Sequence, residues 1–154
     1  MTKPPPSIKG LLHNQCLQYI DKCIDNVQLA MNEAMQSGNT ETKSSAGDKH
    51  ETGRALLQLE QEKNTRQLLE MLQLKEKLLK VDPTITSGVI ATGSAVLTTN
   101  GNFYISIAAG KLEIESESYF AISPSSPIAI RFLGLKAGDE VAFNALTYQI
   151  RYVL

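Results

Sequence analysis

Residues 68–83 read L-L-E-M-L-Q-L-K-E-K-L-L-K-V-D-P, and the change of period across them decides the fold. Up to Lys80 the apolar residues recur at the three- and four-residue steps of a helix. Past Val81-Asp82-Pro83 they recur at the two-residue step of a strand. Reading backwards, a helical stretch runs from Asp48 to Lys80. Its apolar positions are Leu56, Leu57 and Leu59, then Leu68, Leu69, Met71, Leu72, Leu74, Leu78 and Leu79. This leucine stripe reads as core. Between its two parts, 60–67 is almost wholly polar, which predicts a thin, solvated section. An earlier helix carries Leu17, Ile20, Cys23, Ile24, Val27, Met31 and Ala34, with no Pro or Gly between Leu11 and Gln36. Gly38 reads as its stop. Two long helices with one connection pack most simply as an antiparallel coiled-coil hairpin, with arms of roughly 40–45 Å at ~1.5 Å per residue. The connection, 37–47, is small and polar and reads as the exposed tip.

Reading forwards, the second half is a set of short strands with one short helix. A hairpin is expected from 94–99 and 103–109 about Asn100-Gly101, a dipeptide favoured in type I′ turns. Strands follow at 112–115 and 118–122. Ser126-Pro127 has the form of an N-cap followed by proline at the first helical position, and Gly134 closes that helix. Ala137-Gly138-Asp139 reads as a turn, 140–143 as a strand, and 147–153 as a last strand with Tyr148, Ile150 and Tyr152 alternating. The fold class expected is α+β, with a tail at 1–6 that its three prolines mark as disordered. A helical hairpin spans 7–80, with its tip near 37–51, and a small sheet domain spans 84–154.

Composition narrows the functions. Fifteen Lys and Arg against sixteen Asp and Glu leave a net charge of −1 over 154 residues, which does not suit a protein that grips many phosphates. No apolar run reaches the ~18 residues of a membrane span and no signal-peptide core is present, so a cytoplasmic protein is expected. Cys16 and Cys23 are the only cysteines. On a helix they stand about 10 Å apart, beyond the ~7 Å Cα limit of a disulfide, and read as buried or half-buried thiols. Two histidines, His13 and His50, assemble neither a zinc site nor a serine-hydrolase triad. No phosphate-binding glycine loop is present.

Two stretches resemble the Gre-factor family of bacterial transcription elongation factors. One is Ser126-Pro127-Ile128-Ala129 followed by Leu133-Gly134 and Gly138-Asp139-Glu140-Val141, similar to that family's S-P-I-A … G-D-E-V signature. The other is Gly47-Asp48-Lys49-His50-Glu51, between the helices where the family carries G-D-x-x-E-N-A. Here Thr52-Gly53 replaces the Asn-Ala, and 39–46 reads as a loop longer than the family's compact tip. The resemblance implies a coiled-coil hairpin and a C-terminal domain of FKBP-like fold. It implies RNA polymerase as partner, entered through its secondary channel, and stimulated cleavage of backtracked transcripts. Contact with nascent RNA would be indirect. Asp48 and Glu51 would help hold a second Mg²⁺ in the polymerase's own active site. No tightly bound cofactor is implied, and the factor itself is not an enzyme. Two protein carboxylates suit Mg²⁺, which keeps waters for the rest of its shell. A second metal there activates water and steadies phosphate charge.

Each residue has a plainer reading beside this one. Asp48 and Glu51 have the spacing of a capping box. Glu41 is a third acid near the tip, and a solvated loop charge is its simpler account. Lys43, Lys49 and Arg54 either touch RNA phosphates or solvate the helices. Ser126, Pro127 and Ile128 serve as a helix start on local grounds, and as a polymerase contact by resemblance. His13 reads as a satisfied imidazole on the helical seam and His50 as an exposed residue. Competing functions are a Gre-like regulator without cleavage, a peptidyl-prolyl isomerase and a coiled-coil adaptor. A monomer without membrane attachment is expected.

Overall fold

The computed structural model describes the backbone of residues 2–44 and 48–154, with side chains for all of these except 37–50. Elements follow in the order α1 (Ile8–Ser44), α2 (Asp48–Leu79), β1 (Ala95–Thr98), β2 (Gly101–Ile105), β3 (Gly110–Ile114), β4 (Glu117–Ile122), α3 (Pro127–Phe132), β5 (Glu140–Phe143) and β6 (Leu146–Val153). The protein is α+β: two long helices, then a six-stranded mixed sheet with a short helix. It divides into two units, Ile20–Glu76 and Met1–Tyr19 with Lys77–Leu154. The first turns of α1 therefore belong with the sheet. Among the described residues no helix is long and apolar enough to cross a membrane.

The sheet order is β3-β4-β2-β1-β6-β5, with β2 and β4 parallel and the other neighbours antiparallel. All four residues of β1 are buried, as are four of the five in β2, because both faces of the central strands are covered. One face carries Val96, Phe103, Ile105, Val141, Tyr148 and Ile150, closed by Phe132 of α3 and by Ile90. Phe103 and Phe132 stack with ring centroids 5.3 Å apart, and Tyr148 meets both edge-on. The opposite face carries Leu97, Tyr104 and Tyr119. It is covered by Ile8, Leu12 and Cys16, which at steps of four share one side of α1 and are all buried. The outlying strand β3 shows the plain alternation of a half-covered strand, with Leu112 and Ile114 in and Lys111 and Glu113 out.

Sequence and structure part at several places. Helix α1 runs through Gly38 to Ser44. A glycine inside a helix costs only about 1 kcal/mol against alanine, so Gly38 permits a stop without imposing one. Residues 39–44 are helical and not a loop, and 45–47 lie outside the described residues. At ~1.5 Å per residue, the 37 residues of α1 and the 32 of α2 make helices longer than the arms expected. The leucine stripe of α2 is only partly core. Leu57, Leu68, Met71 and Leu74 are half-buried and Leu78 is buried, while Leu56, Leu59, Leu69, Leu72 and Leu79 are exposed. Stepping by four and three along α2 from Leu57, the inward positions include Gln61, Asn64 and Lys75. The polar middle thus lies in the seam as well as outside it.

In the sheet, the β1–β2 turn sits one residue earlier than Asn100-Gly101. Thr98 pairs with Gly101, so Thr99 and Asn100 form the loop, and Gly101 opens β2 at φ +120°. Thr98 Oγ1 stitches this turn, donating to the Gly101 carbonyl at 2.7 Å and accepting from the Asn100 amide at 3.1 Å. The turns with two positive φ values, as type I′ requires, are Glu115-Ser116 (51° and 68°) and Asn144-Ala145 (49° and 63°). A shift of register where β6 passes β1 sets Leu97 opposite Tyr152 but Thr98 opposite Ile150. The extra residue, Arg151, returns Val153 to the core side with Ile150. Tyr152 is thereby turned away from the face that Tyr148 and Ile150 share.

Candidate functional site

Asp48 is the first residue of α2 and Glu51 lies within its first turn. Residues three apart on a helix are surface neighbours, so the two positions share a side. Glu51 is exposed, as are Thr52 and Arg54. The side chains of Glu41, Lys43, Asp48, Lys49 and His50 lie outside the described residues, and with them the capping role expected of Asp48. Within Ile20–Glu76 the two helices are joined where the chain enters and leaves by an ion pair, Lys75 Nζ to Asp21 Oδ1 at 2.6 Å. The α1–α2 junction is the other end of that unit. Two carboxylates at a helix start are hard oxygen donors of the kind Mg²⁺ takes. Among the described residues no group of three or more His, Cys, Asp or Glu gathers as a metal site. The pair fits a metal ion only as part of a larger donor set.

The second expected contact is fully described. Ser126 is the N-cap of α3. Its Oγ accepts from the Ala129 amide at 3.4 Å and donates to the Ser123 carbonyl at 2.7 Å. Pro127 follows at the first helical position, exposed, while Ile128 packs against the core. Of the three residues, only Pro127 offers an open side chain. Gly134 ends the helix at φ +85° and its amide donates to the Ile90 carbonyl at 2.9 Å. In the following turn Asp139 Oδ2 accepts from the Lys136 amide at 2.9 Å, and the Gly138 amide donates to the Ile150 carbonyl at 2.8 Å. The S-P-I-A and G-D segments therefore brace one corner of the sheet.

That corner carries residues the sequence reading passed over. Ile130 is exposed on α3 and Leu133 at its C-cap, and Val89 is exposed on the adjoining strand-like segment that bridges to Lys136. A signal for them existed. P-I-A-I-R-F-L-G-L is apolar nearly all round, and a two-turn helix on a sheet buries one side only. Ala129 and Phe132 take the inner side, which leaves Ile130 and Leu133 outward.

A third cluster is closed to solvent. His13 Nδ1 shares a hydrogen bond with the Tyr104 hydroxyl at 2.9 Å, and Cys16 Sγ meets Ser106 Oγ at 3.5 Å. His13 thus pins α1 to the sheet and does not sit on a helix–helix seam. Burial lowers the His13 pKa, partly opposed by the Asp82 carboxylate. Burial likewise raises the Cys16 thiol and the Tyr104 phenol. Lys9, also buried, donates from Nζ to the Ile85 carbonyl at 2.5 Å. Its pKa is lowered by burial, with Asp82 again opposing. Both cysteines are free, Cys16 buried and Cys23 half-buried. These groups join α1 to the sheet and are buried beneath it.

No family profile, curated protein or solved structure matches this chain.

Proposed function

We propose that the chain is a Gre-like factor that enters the secondary channel of RNA polymerase and promotes cleavage of backtracked transcripts. The observation that carries this reading is the position of Asp48 and Glu51. They lie in the first turn of α2, at the junction of two long helices, with Glu51 exposed. A finer architecture belongs to the same reading. The buried and half-buried positions of α2 at steps of four and three suit a coiled coil. The short helix with its braced G-D turn suits an FKBP-like sheet domain.

On this reading the sheet unit docks at the channel rim, and Pro127 lies in the docking surface. Asp48 and Glu51 are presented at the catalytic centre of the polymerase. A Mg²⁺ ion shared with that centre supplies an activated water and charge neutralisation at the scissile phosphate. The chain's own part is to bring two carboxylates, one turn apart at the start of a helix, to that centre. Arg54, one turn on, faces solvent, and on this reading it touches the displaced RNA, as would Lys43 and Lys49.

The test is transcript shortening in stalled, backtracked elongation complexes. Wild-type protein shortens the RNA, and an Asp48→Ala/Glu51→Ala variant that still binds polymerase does not. Full activity in the double variant overturns the mechanism. A second reading is favoured by Thr52-Gly53 in place of the family's Asn-Ala. It is a regulator that occupies the channel without promoting cleavage, and it is recognised by polymerase binding with slowed elongation and no RNA shortening.

A further inference from the structure

A cavity of about 210 Å³ opens at the end of the sheet, on the face covered by α1. Cross-strand pairing assembles its floor. Leu97 stands opposite Asn102 and Ile114 opposite Glu117. Tyr119 lies two residues along β4 from Glu117, on the same face. Ile8, Leu97 and Ile114 give it apolar walls, with Thr2 and Pro4 of the N-terminal segment alongside. Glu115 and Glu117, both exposed, stand at its rim. The Glu115-Ser116 turn, with both φ values positive, holds these two carboxylates on either side of one tight bend.

Two observations beyond the acid pair point to a ligand. Asn102 is 9% exposed and Tyr119 is 1% exposed, and both line the cavity. Neither side chain has a hydrogen-bond partner among the described residues, and since neither polar end is sealed from solvent, both open into the cavity they line. Among the described residues no cationic side chain lines the cavity. The Tyr119 phenol is held above its ordinary pKa by burial first, and then by Glu117 and Glu115, which puts both carboxylates within its field. The volume equals that of about seven liquid waters at ~30 Å³ each, below the ~300 Å³ at which drug-sized sites begin. A metal ion would leave the apolar walls unused.

We propose that this cavity binds a primary alkylammonium group. The ammonium meets Glu115, Glu117 and the Asn102 and Tyr119 oxygens, and a short aliphatic stem lies against Ile8, Leu97 and Ile114. The same chemistry is offered by a free small amine and by a lysine side chain of another protein. The site is independent of polymerase binding, and its test does not involve transcription. The full chain is titrated with n-butylammonium and with Nα-acetyl-lysine methylamide, and the NMR signals of the Asn102 side-chain amide and the Tyr119 ring are followed. Saturable shifts at both residues are expected, weakening as salt rises. Glu115→Gln/Glu117→Gln, two surface changes, raises the dissociation constant by about tenfold. Tyr119→Phe weakens binding less, since it removes one uncharged hydrogen-bonding group. Binding of both probes assigns the site to a lysine side chain, and binding of n-butylammonium alone to a free amine. The proposal is overturned if neither probe shifts Asn102 at millimolar concentration. It is also overturned if n-butanol binds as well as n-butylammonium, if the double variant binds undiminished, or if Ca²⁺ or Mg²⁺ produces the shifts instead.

Discussion

The two units solve the burial problem with different success. In the sheet unit the aromatic cluster of Phe103, Phe132 and Tyr148 is shut from solvent, and His13 and Cys16 of α1 find partners in Tyr104 and Ser106. In the helical unit the inward positions include Gln61, Asn64 and Lys75, four leucines of α2 face water, and the buried Asn64 Nδ2 has no partner among the described residues. Sheet strands bury residues from two faces, whereas a helix in a two-helix pair buries one narrow stripe. A polar residue in that stripe leaves little to replace it. Stability is therefore concentrated in the sheet unit, and the helical unit holds its shape on a thin margin.

Four substitutions break or sharpen this contrast. The largest effect belongs to Phe132→Ala, which empties the centre of the aromatic cluster and costs about 3–5 kcal/mol. Urea unfolding followed by near-ultraviolet circular dichroism measures it, and a loss under 1 kcal/mol would deny the cluster its role. Asn64→Leu is expected to move the other way. Removing an unsatisfied buried amide returns about 1–3 kcal/mol, seen as a rise in the helical melting transition at 222 nm. If that variant melts lower, the amide has a partner in solution and the seam is better satisfied than its geometry suggests. Ser126→Ala removes the α3 cap at a cost of about 1 kcal/mol, read from the same urea transition as Phe132→Ala. Lys75→Gln breaks the ion pair to Asp21, whose side chains are 35% and 51% exposed. At that exposure the loss is under ~1 kcal/mol, and it should shrink further in high salt. A larger loss would show that the pair sets the pairing of the helices.

Much of this was legible in the residues, and the failures have physical causes. The break at Val81-Asp82-Pro83 was clear because the period itself changes there, and Ser126-Pro127 because capping is a local interaction. The type I′ turns were missed because Glu115, Ser116 and Ala145 are unfavourable at positive φ, Asn144 alone being a preferred residue there, and the turns are imposed by strand pairing on either side. The Arg151 bulge was invisible for a related reason. Alternation along β6 predicts one face, and only the β1 partner shows where the register slips. The division of the leucine stripe was beyond reach, since spacing tells which residues share a side and not how wide a side will be covered. The acids at the start of α2 were easily found by motif. The Asn102–Tyr119 cavity was not, because its residues come from four strands and α1 and meet only through pairing.

The place of β6 in the sheet has a consequence in time. It lies between β1 and β5, so β1 has its second neighbour only when residues 146–153 have left the ribosome. The first turns of α1 must wait for residues 95–122 to supply the sheet face they cover. The helical unit needs nothing beyond residue 76 and can form first. Ile8, Leu12 and Cys16 are thus made well before the sheet residues they pack on, and it is there that a chaperone would find the nascent chain.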